Sequence, residues 1–393
     1  MGTRFRFLAA VLLPASLLVL SACSSGNNST TSSGIGALYV TTQGDSLVTG
    51  FTIDLSTGVL STNGSGVATG NTPSAMIMAP SGAALFVSNS PANTISAYTV
   101  KSDGTLTAAS GTPATGMTPV GMAIDSGGHF LFVANQGQQI DPASGSISVF
   151  AIQDTTLTPV SGSPFSTAAP LAPFGTGPSA VAVTPDAKFL YVTNQFDNTV
   201  TEFSVDGSGV LTRLQAIPVG TAPSTAAISP DGGFLYVGNS GSSNLSAFAV
   251  CNQVLSSCSN PTSPDGSLTP VTNSPFSVGL GPSSIVFTPD GKFLFVVNRQ
   301  SNQVSEFKVS TGTGALTANT QATISTGGNP AWGAVRVGTT AISATGGTTN
   351  FLYVANLGSS SVSVYSFDST VGTLSQVGSP VTTGGQPSAV AAK

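Results

Sequence analysis

Side chains able to do acid–base, nucleophilic or metal chemistry are few in this 393-residue chain. There is one His, His129, and there are two Glu, Glu202 and Glu306. Of the three Cys, Cys251 and Cys258 lie seven residues apart with no His nearby, a poor metal site, and Cys23 stands alone near the amino terminus. Three other residues suit a ligand: the single Trp, Trp332, then Arg336 four positions on, and Arg299. An indole offers a flat face to a sugar, and a guanidinium offers a planar fork to a carboxylate or phosphate. The chemistry in view is the binding of a small carbohydrate or a carboxylate. No residue stands out as a general base, and no metal or cofactor is expected.

These positions acquire meaning from the elements that carry them. The run Phe189-Leu190-Tyr191-Val192-Thr193-Asn194 returns at Leu85–Asn89, Leu131–Asn135, Leu235–Asn239, Leu294–Asn298 and Leu352–Asn356, with a degraded copy at Leu38–Thr42. A run of apolar, β-branched and aromatic residues ended by Asn reads as a buried strand followed by a turn. Successive copies lie 45 to 59 residues apart, the spacing of propeller blades. Each full copy is preceded by a Pro and a short apolar strand, and in five units Pro and Asn are sixteen residues apart. Turns such as Pro230-Asp231-Gly232 and Pro289-Asp290-Gly291 join the two strands. An alternating third strand follows, for example Thr199–Phe203, and a Gly-x-Leu signal opens a fourth at Gly58, Gly104, Gly209, Gly266, Gly314 and Gly372. Leu157 marks the seventh copy, without its Gly.

Seven units of four antiparallel strands predict an all-β, seven-bladed β-propeller over residues 37–393. The first unit lacks a first strand, and the chain ends in Pro387-Ser388-Ala389-Val390-Ala391-Ala392-Lys393, a first strand with nothing after it. The carboxy-terminal strand is therefore expected to complete the amino-terminal blade and close the ring. The unit beginning at Pro330 carries an insertion, Gly338 to Thr349, in its first hairpin.

With its seven Leu-(Tyr/Phe)-Val-x-Asn copies, Pro-Asp-Gly hairpins and Gly-x-Leu strand starts, the chain resembles the YVTN-repeat propellers and the related lactonase family, often described as 6-phosphogluconolactonase-like. That resemblance implies a ligand face around the central channel, on the side of the Asn turns. Active-looking members carry His or Arg just after the leading Pro. Here those places hold Ser74, Val120, Ser179, Ser224, Ser283, Ala331 and Ser388. The repeated Asn89, Asn135, Asn194, Asn239, Asn298 and Asn356 are expected to be turn framework, because a site is usually asymmetric. Asymmetry picks out Trp332, where other units have Ala, Gly, Thr or Ser, and Arg336, where they have Ala79, Asp125, Thr184, Ser229 and Thr288. It also picks out Arg299, directly after Asn298. His129 aligns with Lys188 and Lys292 in the hairpins of the opposite face, and Glu202 and Glu306 share one place in their third strands, which suggests a structural role. Two functions remain open: a ligand-binding or protein-interaction module, and a lactone hydrolase as the resemblance implies. A surface adhesin or envelope scaffold is a third.

The first 36 residues point to a location. Arg4 and Arg6 precede the apolar run Phe7 to Leu20, followed by Leu20-Ser21-Ala22-Cys23. A basic start, a short apolar run and small residues describe a secretory signal peptide. Leu-Ser-Ala-Cys resembles the bacterial lipobox, which implies cleavage after residue 22 and lipidation of Cys23. Ser24 in the next position implies sorting to the outer membrane, with the membrane held through the lipid. Residues 23–36, rich in Ser, Gly, Asn and Thr, read as a flexible tether. An oxidising compartment permits a Cys251–Cys258 disulfide closing a local loop. Charged residues make up only 6% of the chain against roughly 25% in an average domain. Loss of residues 1–22 leaves 8 basic and 15 acidic residues, a net charge of −7, which argues against a nucleic-acid partner.

Overall fold

The computed structural model describes residues 36–139, 141, 144–168, 177–251, 265–341 and 348–393. They form seven antiparallel sheets, each ordered in the sequence strand one, two, three, four from the centre outward. Blade 4 is typical, with strands Pro178–Val183, Phe189–Asn194, Thr199–Val205 and Leu211–Pro218. No α-helix occurs among the described residues. Pro387–Ala392 pairs antiparallel with Gly36–Thr42, so the carboxy-terminal strand is the innermost strand of blade 1 and closes the ring.

The repeated strand is apolar on both faces because both faces are buried. Leu190 and Val192 pack into the interface with blade 3, beside Phe132 and Val149. Tyr191 packs into the interface with blade 5, beside Leu235 and Val237. All are inaccessible to water, and burying one such side chain is worth roughly 1.5–3 kcal/mol. Strands covered on two sides lose the polar–apolar alternation, whereas the edge strand Leu211–Pro218 is largely exposed.

Neighbouring blades are also joined by specific polar contacts. The hydroxyls of Tyr39, Tyr191 and Tyr236 donate to the carbonyls of Gly104, Gly266 and Gly314 in the next blade, at 2.8, 2.7 and 2.6 Å. The Gly-x-Leu glycines have φ between 70° and 81°. Five of them also lie under an aromatic ring of the preceding blade, as Gly314 lies under Phe234. Blade 2 begins its second strand with Ala84 instead of Phe, and blade 3 is the one that lacks the Gly, with Thr155 in its place.

Three details depart from the repeat read in the sequence. In blades 3, 5 and 7 the fourth strand is interrupted, and a two-residue piece (Phe165–Ser166, Phe276–Ser277, Val381–Thr382) pairs separately with strand three. The insertion of blade 7 lengthens its hairpin: strand one runs Pro330–Ala341, and Ala341 pairs with Thr348. Each complete inner strand also carries a β-bulge directly after its Pro, as between Pro178 and Ala180, and this bulge builds the site described below.

Candidate functional site

At the bulge the chain contains one residue more than its partner strand, and that residue turns its side chain toward the channel and the next blade. In five blades it is Ser. Ser74, Ser179, Ser224, Ser283 and Ser388 donate to the carbonyl oxygens of Pro119, Pro223, Pro282, Pro330 and Pro73, at 2.6, 2.7, 2.6, 3.3 and 2.8 Å. Each bond links one inner strand to the next, and together they form a ring of hydroxyl–carbonyl bridges around the channel. The ring is broken twice, where blade 3 carries Val120 and blade 7 carries Ala331. Among the described residues, no side-chain hydroxyl reaches the carbonyl of Pro178 or Pro387 at these two interfaces.

These residues line a cavity of about 240 Å³ at the channel mouth, together with Gln43, Gln136, Gln195, Arg299, Trp332 and Leu357. The five added residues other than Trp332 each directly follow the Asn (or Thr42) of their blade. The Asn side chains themselves do not reach the cavity. They are inaccessible to water, and each turns into its own blade, as Asn194 Nδ2 does toward Thr199 and Thr201 Oγ1 at 3.0 and 2.8 Å. The framework role expected for the repeated Asn is the one observed.

The breaks are treated differently. Between blades 3 and 4, Gln136 Nε2 donates to Gln195 Oε1 at 2.7 Å and restores a cross-blade bridge. Between blades 7 and 1, the equivalent positions are Leu357 and Gln43. Leucine cannot bridge, and no side-chain hydrogen bond ties Gln43 to a neighbour among the described residues. Trp332 stands at this second break, half-buried, packed against the core beside Val390 and Ala389 of the closing strand. From blade 6, Arg299 reaches the rim, where its Nε donates to Asn329 Oδ1 at 2.6 Å. It forms no ion pair, since the three pairs among the described residues are His129–Asp125, Lys188–Asp186 and Lys292–Asp290.

Of the three ligand candidates, then, Trp332 and Arg299 are brought to one cavity. Arg336 is placed elsewhere. It pairs with Phe351 midway along the inner strand, about 13 Å beyond Trp332 at roughly 3.3 Å per residue. Its side chain lies outside the described residues. Other blades use this place to cap the outer hairpin: Thr184 Oγ1 and Ser229 Oγ accept from Phe189 and Phe234 N–H at 3.1 and 2.9 Å.

Blade 3 uses Asp125 for the same purpose. Its Oδ1 accepts from Phe130 N–H at 2.5 Å, and its Oδ2 accepts from Gly127 N–H and contacts His129 Nδ1 at 3.0 Å. His129 is 72% exposed, a turn residue on the opposite face, as its alignment predicts. Glu202 and Glu306 are buried at the 4/5 and 6/7 interfaces, where other blades have Gly50, Ala97, Val149, Ala247 and Val364. Glu202 Oε2 accepts from Gln215 at 2.9 Å, and Glu306 Oε2 accepts from Leu374 N–H of the next blade at 3.3 Å. Burial pushes both carboxyls up to about 7. Neither lines the channel cavity. Cys251 is buried and disulfide-bonded; Cys258 and Cys23 lie outside the described residues. No group of three His, Cys, Asp or Glu among the described residues is arranged to hold a metal ion.

Fold and site thus define a closed seven-bladed propeller with a small, polar, asymmetric channel mouth. The sequence matches the family described as lactonase, 7-bladed beta-propeller, over residues 32–161, 143–255 and 258–392, and the chain belongs to that family. Among solved structures it is similar to a 6-phosphogluconolactonase-named protein of Bacteroides uniformis, with a TM-score of 0.71 and 22% identity over 92% of this chain and 100% of that one. The periplasmic gluconolactonase PpgL of Pseudomonas aeruginosa gives a TM-score of 0.71 and 22% identity over 91% and 99%. Apo AztD of Citrobacter koseri gives 0.54 and 14% over 91% and 98%. At these identities the likeness is one of fold. No curated protein sequence matches the chain.

Proposed function

We propose that the propeller is a binding module that holds one small polyhydroxylated molecule, neutral or carrying a single acid group, at the channel mouth. The observation that carries this reading is the lining of the 240 Å³ cavity: five Ser, three Gln, Trp332 and Arg299, without a carboxylate, imidazole or thiol among the described residues. Hydroxyls and amides match the hydrogen bonds of a polyol, the indole face takes its C–H surface, and Arg299 takes an anion. The volume is below the roughly 300–1,000 Å³ of drug-sized pockets, and suits a single small molecule. General acid–base catalysis needs a titratable group within hydrogen-bond reach of the reacting atom, and the lining offers none that titrates near neutrality.

The second reading is lactone hydrolysis. Family membership favours it, as does the name of the Pseudomonas neighbour. One experiment separates the two: D-glucono-1,5-lactone is incubated with the purified protein and with Trp332→Ala, and hydrolysis is followed beside tryptophan fluorescence. The binding reading expects saturable fluorescence change without turnover above the spontaneous rate. Turnover that disappears in Trp332→Ala overturns it in favour of the enzyme.

The same reading extends to location. A lipid on Cys23 holding the domain outside the cytoplasm, at the outer membrane, is supported by the Leu20-Ser21-Ala22-Cys23 sequence and the basic and apolar segments before it. Cys23→Ser is expected to move the protein from the membrane pellet to the soluble fraction.

A further inference from the structure

The hydroxyl ring gives the site a finer address. Five blade interfaces are closed by a Ser hydroxyl on the next Pro carbonyl, and a sixth by the Gln136–Gln195 bond. The seventh, between blades 7 and 1, has neither. There Ala331 supplies no donor to the Pro387 carbonyl, Leu357 supplies none to Gln43, and the Gln43 amide forms no side-chain bond. Ala331, Trp332, Leu357, Gln43 and Ser388 all line the one cavity.

We propose that this interface is the ligand's seat, and that the ligand supplies the missing bridge through a vicinal diol. One ligand hydroxyl donates to the Pro387 carbonyl, where the other blades place a Ser hydroxyl. The adjacent hydroxyl exchanges hydrogen bonds with the Gln43 amide, which offers both a donor and an acceptor. The C–H face of the ligand rests on Trp332. Arg299, with its terminal nitrogens unpaired, prefers ligands that also carry a carboxylate.

The argument rests on the binding reading above and deepens it. Among the described residues the Gln43 amide has no side-chain partner, and the Pro387 carbonyl lacks the hydroxyl that its five counterparts receive, so the site selects ligands that satisfy both. The seat also coincides with the seam where the chain's two ends meet, since Pro387 and Ser388 belong to the closing strand. An occupied seat therefore ties blade 7 to blade 1, and ligand binding stabilises the closed ring.

The test installs the missing hydroxyl. Ala331→Ser provides the donor that Ser74 and Ser224 provide in their blades. Val59→Ser, which adds a hydroxyl at an exposed position outside the cavity, serves as the control. Purified wild-type protein and both variants are titrated with D-glucitol, D-gluconate and hexanoate. The readouts are the fluorescence of the only Trp and the unfolding temperature without ligand. The expected result has five parts. D-glucitol and D-gluconate bind the wild type and Val59→Ser, with D-gluconate at least tenfold tighter. Hexanoate binds at least tenfold more weakly than D-gluconate. Ala331→Ser unfolds at a higher temperature than the wild type, and its polyol affinity falls at least tenfold. Polyol binding that Ala331→Ser leaves unchanged overturns the seat but leaves the binding module standing. Failure of both polyols to bind the wild type overturns both. Hexanoate binding equal to that of D-gluconate overturns the diol.

Discussion

Two glutamates buried in blade interfaces make the stability of the ring depend on pH in an unusual direction. Glu306 is inaccessible to water, its Oε1 has no hydrogen-bond partner, and its Oε2 accepts only long bonds from Asn319 and Leu374 N–H, at 3.4 and 3.3 Å. Burial raises its carboxyl from 4.5 to about 7. Below about pH 4.5 the folded and unfolded chains both hold the proton, and the group does not affect stability. Between about 4.5 and 7 the unfolded chain loses its proton while the folded chain keeps it. The unfolded state then binds fewer protons, so stability falls as pH rises. Above about 7 both are ionised and the loss is complete. A shift of that size corresponds to about 3.5 kcal/mol at most, at roughly 1.4 kcal/mol per pH unit. Glu306→Gln keeps the shape, keeps an acceptor for Leu374 N–H, and cannot ionise. The expected outcome is a variant equal to the wild type at pH 4.5 and about 2–3 kcal/mol more stable at pH 8. Urea unfolding followed by circular dichroism from pH 4.5 to 8 measures the difference. If the two proteins' unfolding midpoints keep a constant separation across that range, the carboxyl is ionised in the folded state throughout, and the burial argument is wrong. Glu202→Gln, at the 4/5 interface, is expected to behave in the same way, and its Tyr191 neighbour is raised in turn by burial and by the Glu202 charge.

Two further predictions concern the repeat. Gly314→Ala places a methyl group against the Phe234 ring at a φ of 70°, at an expected cost of at least about 2 kcal/mol. In a Phe234→Ala background the cost falls to about 1 kcal/mol, the part due to φ alone. A double-mutant cycle by chemical unfolding reads the coupling, and an unchanged cost in the Phe234→Ala background refutes the steric account. At the hairpin of blade 3, Asp125→Ala leaves Phe130 N–H without its acceptor, at about 1–3 kcal/mol. Asp125→Thr restores much of this by copying Thr184 and Thr288, whereas His129→Ala, at an exposed turn, changes the unfolding midpoint little.

Repetition made the fold legible. One strand read seven times fixes blade number, register and the division of labour between the chain's two ends, and Leu190 to Asn194 needs burial on both faces to be written as it is. The hydroxyl ring was written with equal regularity, as Ser after Pro in five of seven places. It stood out less, because period-two alternation predicts where side chains point only along a regular strand. A β-bulge after each Pro turns that residue toward the neighbouring blade, and no spacing rule shows that a Pro carbonyl 44 to 58 positions away along the chain in four of those bridges will receive it. The same limit applies to Arg336. Alternation groups it with Trp332 on one side of a strand, yet the two stand about 13 Å apart along it. The depth of Glu202 and Glu306 was equally hidden, since a carboxylate among apolar neighbours in an outer strand is compatible with either an exposed edge or a buried interface.

A propeller made of near-identical blades cannot bind an asymmetric ligand through what repeats, since every bond offered by one blade is already used by the next. Here the repeated donors are consumed internally: the Asn Nδ2 groups within blades, the Tyr hydroxyls between blades, the Ser hydroxyls between inner strands. What remains for a ligand is whatever the repeat fails to pair. At one break of the hydroxyl ring, two Gln repair the loss and leave little to recognise. At the other, Ala331 and Leu357 remove both bridges at once, and the only Trp in the chain occupies the same interface. A selection that merely tolerated lost bridges would have no reason to place an indole and an unpaired amide where they are lost. The concentration of all these departures at one of seven equivalent interfaces is the strongest physical argument for a site there.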